Sequence, residues 1–278
     1  MTIATITGTY ATGINLTPTY ADPVTVASGA EITMVAGSAL YASSRWTIVN
    51  YGGVDSASAD SVDLAAGGSV TNAGGGIIGG TDGVLIGGAA GTVINAGSIG
   101  ETGTSYGDAG VKLTAGGYVS NASAGIITGA RNGVVIEGGA GTVANAGGIT
   151  GSGPSGVVFE SGGVLRNSST GFISGANFGV SMQGGAGTVA NAGTISQTAK
   201  DAAGVYLGKG GSIENTGREY RARIPGENTG LITAAGSYTN GVLIIEGGPA
   251  MAPTRPAGRL RGFPASWSPA SARWSMLA

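Results

Sequence analysis

The string GGAGTVANAG stands at Gly138–Gly147 and returns letter for letter at Gly184–Gly193, with a looser copy, GGAAGTVINAG, at Gly87–Gly97. A phrase that recurs at a set interval means one structural unit is being stacked, so the period bounds the fold before any single residue does. A second phrase keeps step with it. Gly-Val, any residue and an apolar one occurs at Gly83, Gly110, Gly133, Gly156, Gly179, Gly204 and Gly241, and the central copies are 23 residues apart. Asparagines mark the same period at Asn50, Asn72, Asn95, Asn121, Asn145, Asn167, Asn191 and Asn215. An isoleucine follows most of them, at Ile78, Ile99, Ile127, Ile149, Ile173 and Ile195.

Each unit thus holds three short apolar segments parted by Gly, Ser, Thr or Asn. The segments are too short for helices and rich in Val and Ile, which suit a pleated, half-buried surface. Glycine, 57 of 278 residues, would cost a helix about 1 kcal/mol at each interior site. Three strands per turn, each paired with its copies one turn above and below at roughly 4.8 Å, make a parallel β-helix. About nine turns give an all-β rod roughly 40 Å long. Alternation along a strand sends Val143 and Asn145 inward and Ala144 outward, and Val134 and Ile136 inward with Val135 facing out. Turns written GTV interleave with turns written GGYVSN, GGVLRN and GGSIEN. The repeat is therefore a pair of turns, which explains why the opening phrase returns after two.

The pattern divides the chain. Residues 1–44 follow it loosely and are expected to hold a cap, as a strand or hairpin, and one irregular turn. Residues 45–248 are the repeat domain. Within it, ENTG occurs at Glu214–Gly217 and Glu227–Gly230, so 218–230 reads as an inserted loop. Residues 249–278 mix Pro, Arg, Ser and Trp without the repeat, and read as a disordered tail or as the product of a truncation or a shifted frame.

Chemistry is narrowed by what the alphabet omits. The chain has no Cys and no His, which removes disulfides, thiolate nucleophiles, Ser-His-Asp triads and His-containing zinc sites. No metal and no cofactor is expected. A net charge of −2 and 10 % charged residues do not suggest a nucleic-acid partner. No apolar run has the length of a membrane span, so no membrane insertion by this chain is expected, and the first residues show no ordinary leader.

The asparagine column is the most regular polar feature. It reads as structural, each Asn taking a left-handed turn and stacking its amide on the next turn's. Glu137 and Glu160 occupy equivalent places on adjacent turns, about 5 Å apart, a spacing at which a pair of carboxylates can cleave glycosides; a solvated acidic pair is the plainer reading. Asp55, Asp60, Asp63, Asp82, Glu101, Asp108 and Asp201 are scattered, and Lys112, Arg131 and Arg166 do not cluster with them. GGAGTV lacks the Asp of a calcium nonapeptide and the Lys of a phosphate loop. The sequons at Asn15, Asn121 and Asn167 are expected by chance in this composition.

With GGSVTNAG, GGAGTVANAGGITG and the Gly-Val steps in place, the chain resembles the β-strand-repeat passenger regions of α-proteobacterial autotransporters and related large surface adhesins, over roughly Tyr41–Gly248. The resemblance implies a right-handed parallel β-helix at the cell surface or outside a Gram-negative cell, serving as a stalk or adhesin with glycans or cell surfaces as partners. It implies no catalytic residues. A polysaccharide-degrading enzyme using Glu137 and Glu160 is one alternative. A truncated fragment without function, self-associating end to end, is another.

Overall fold

The computed structural model describes residues 3–100, 109–199, 203–216, 222–224 and 243–245. Among them there is no helix, and every strand pairing is parallel. The strands form three sheets of ten, nine and eleven strands, each visited once per turn. One turn runs through Gly141–Asn145, Gly148–Gly151 and Ser155–Phe159, and the next through Gly163–Asn167, Phe172–Gly175 and Phe178–Met182. Like sits on like across turns: Val143 is opposite Leu165, Ile149 opposite Ile173, and Val157 opposite Val180. The fold is the expected β-solenoid.

The core is a set of apolar columns along the axis. Val143, Ile149, Val157 and Phe159 of a single turn are all inaccessible to solvent, and so are their copies above and below. At about 25 cal/mol per Å² of apolar surface removed from water, these columns are the main drive for coiling. Val135 points away from this core, as the alternation requires, yet it is buried. With Ala109 and Val158 it makes a small second cluster on the outer side of the third sheet.

The pairing of turns lies in the corners. Asn145 is joined to Gly148 by two residues, but Asn167 is joined to Phe172 by four. The corner entering the first sheet also differs, with four residues between Ile136 and Gly141 and three between Phe159 and Gly163. The tighter version needs Gly163 at φ 153°, where an added Cβ would lie 2.3 Å from the Gly141 carbonyl oxygen. In the Gly-Val phrase the glycine answers a different need. A Cβ on Gly179 would meet Ile195 Cγ2 at 2.4 Å, so the isoleucine column packs onto bare backbone.

Both ends differ from expectation. Residues 3–44 hold two turns, not a capping strand or hairpin and one irregular turn. Ile3–Ile6, Thr9–Tyr10 and Ile14–Asn15 pair in parallel with Tyr20–Val26, Glu31–Met34 and Leu40–Ala42, giving two full turns. The reason is that Ile6 and Val26 fill the place that Asn50 takes one turn later, so the core column continues while its asparagine signature is lost. Within 218–230, Ala222–Ile224 is a strand of the third sheet, between Ala203–Leu207 and Leu243–Ile245, so this segment does not loop out as a whole. The edge of Ala203–Leu207 offers unpaired backbone groups, and a short extended stretch satisfies them. The rest of 218–230 and the tail 249–278 lie outside the described residues.

Candidate functional site

The asparagine column is one hydrogen-bonded ladder. Asn50 donates from Nδ2 to Asn72 Oδ1 at 2.8 Å, and the same bond runs through Asn95, Asn121, Asn145, Asn167 and Asn191 to Asn215, at 2.7–2.9 Å. All eight side chains are buried. Asn145 Nδ2 also faces the carbonyl oxygens of Gly147 (3.0 Å) and Phe172 (3.3 Å), tying the corner to the following turn. The asparagines are not the turn residues, however. Each ends an extended strand in register with its neighbours, and the corner begins one residue later. The left-handed backbone expected for Asn belongs instead to corner glycines such as Gly138 and Gly162. Aligned amides polarise one another in a buried setting, which adds to their cohesion.

The carboxylates are arranged less regularly. Glu137 and Glu160 follow the third-sheet strands on successive turns, their amides donating to the Leu113 and Ile136 carbonyls. Glu137 is half-buried and forms an ion pair with Lys112 at 3.6 Å, whereas Glu160 is exposed. Lys112 therefore has an acidic partner that spacing along the chain did not reveal. Further toward the N-terminus, Asp60 Oδ1 accepts from the Asp82 amide at 3.2 Å and Asp82 Oδ1 accepts from the Ala109 amide at 2.7 Å. These acids brace corners. Asp63 sits in register between Tyr41 and Leu85; burial, with Asp60 adding repulsion, raises its carboxyl above the usual 3.8. Glu101, Asp108 and Asp201 lie outside the described residues. Among the described residues, no three acidic side chains converge as a metal site would require.

Two of the three sequons are closed to modification, because Asn121 and Asn167 are ladder members; Asn15 is exposed. The outer surface does carry an open groove of about 440 Å³ beside the corner between the first and second sheets, running along the axis. Ala122, Ala146, Ser168 and Ala192 line it together with the ladder residues Asn145 and Asn167, and Arg166 and Glu214 stand in one column on either side of Ala190. Composition could not reveal this groove, because it exists only where small outward residues of successive turns are stacked. Neither was the row of exposed Ile77, Ile126 and Phe172 on the second sheet read from the sequence, although their place just after the longer corners was available as a signal.

No protein-family model, curated protein or solved structure matches the chain.

Proposed function

We propose that this protein is a non-enzymatic, secreted or cell-surface β-solenoid stalk or adhesin that displays many weak contacts along a stiff rod. The observation that carries this reading is the contrast between the two sides of the strands. Inward positions stay apolar from turn to turn, apart from the asparagine column. Outward ones change freely: the column through Ala144 reads Thr71, Ile94, Ser120, Ala144, Arg166, Ala190 and Glu214. A rod whose core is uniform and whose surface is varied suits display, since surface changes leave stability almost untouched. The groove with Arg166 and Glu214 is the place where an extended polymer such as a glycan would lie.

A glycan panel and whole-cell adhesion measurements on the full chain test the proposal. Binding that falls with Arg166→Ala or Glu214→Ala at unchanged melting temperature is the expected result. Hydrolysis or elimination of any glycan, abolished by Glu137→Gln or Glu160→Gln, would sink it.

A further inference from the structure

On the outer face of the second sheet, the first residue of each strand alternates strictly in size. In register the column reads Gly53, Ile77, Ser98, Ile126, Gly148, Phe172 and Thr194. Ile77, Ile126 and Phe172 are 56 %, 51 % and 44 % exposed. Each large residue follows a four-residue corner and each small one a two-residue corner, so the alternation is set by the pairing of turns. Knobs therefore stand about 9.6 Å apart, with a notch between each two. From Ile77 to Gln197, neither the strands of this face nor the corners leading into it carry Asp, Glu, Lys or Arg. A charge-free face with exposed apolar side chains at regular spacing is the kind of surface at which molecules associate.

We propose that the occupant is a second copy of this chain, docked antiparallel about a two-fold axis that passes between the turns of Ile126 and Gly148. An axis between turns exchanges the two turn types, so every knob meets a notch. Ile126 enters opposite Gly148 of the second copy, Phe172 opposite its Ser98, and Ile77 opposite its Thr194. An axis centred on a turn would set knob against knob. The arrangement is isologous and closed, and it lays six charge-free strands and their entry corners onto themselves, so no charges meet along the stripe. A strip about 24 Å long and one strand-plus-corner wide gives a total buried area below the ~1,200 Å² of stable complexes. The dimer is accordingly weak and reversible, forming at roughly 100 μM and dissociating on dilution.

Sedimentation of the full chain across concentration, together with cross-linking, tests this. The chain has no native cysteine, so single Ser98→Cys and Phe172→Cys variants report register cleanly. A short bismaleimide should link the two variants when mixed, their Cα atoms facing across about 10 Å. It should link neither variant to itself, since its two copies of the cysteine then lie three turns, about 14 Å, apart along the axis as well. Gly148→Phe fills a central notch; an added Cβ there meets nothing within 4 Å, so the fold is retained. It should weaken the dimer at least tenfold although it makes the surface more apolar. Stronger association of Gly148→Phe, or linking of each variant with itself, would show unspecific stickiness and overturn the proposal. So would a chain that stays monomeric to about 1 mM, leaving the stripe to a different molecule.

Discussion

Single residues here are constrained by what stacks on them. Asn145→Leu removes the donor to Asn167 Oδ1 and leaves the Gly147 and Phe172 carbonyls without that amide. Stranding buried acceptors costs about 1–3 kcal/mol each, so a loss of about 2–4 kcal/mol is expected in denaturant unfolding, with surface binding unchanged. Glycines separate into two kinds by the same logic. Gly163→Ala forces a Cβ against the Gly141 carbonyl in a left-handed backbone and should lower the melting temperature sharply. Gly148→Ala meets nothing and should stay within about 0.5 kcal/mol of the parent. The sequence shows both as glycine in the same repeat. Their difference lies in the backbone, left-handed only at Gly163, and in the Gly141 carbonyl of the neighbouring turn.

At the scale of strands and corners, the Gly-Val and Asn markers sufficed to locate nearly every strand from Trp46 to Asn215. They failed before residue 44 because Ile6 and Val26 replace the marker without disturbing the column. Titration also belongs to this scale, since one strand's side chain is desolvated by the next. The folded-state pKa of Asp63 is raised above 3.8 by burial and then by Asp60. The folded protein therefore favours the protonated form: this contribution to stability is fully present below the unfolded pKa and is lost as pH rises through the folded one. Asp63→Asn should stabilise the protein at pH 7, and the advantage should vanish below about pH 3.8 in thermal melts. The half-buried ion pair of Lys112 and Glu137 is different. Removing it with Glu137→Gln should cost less than about 1 kcal/mol, measurable in the same melts.

At the scale of the whole molecule, the described residues form a one-dimensional stack, so stability should grade from its centre toward its ends. Hydrogen exchange is expected to be slowest in the turns of Asn95 to Asn167, which have laddered neighbours on both sides. It should be faster at Ile3–Ile6 and Tyr20–Val26, whose column holds no amide ladder; uniform protection would contradict this. Sequence alone determined the coil, its period, its inward columns and the pairing of turns, because those rest on local periodicity and each turn contacts only its neighbours. Tertiary structure decided what has no local signature. It set Lys112 beside Glu137, buried Val135 outside the core, drew Ala222–Ile224 into the third sheet, and lined up knobs and notches on one face. These depend on which outward residues of different turns come to share an axial column, and that is fixed only when corners of two and four residues are wound into one register.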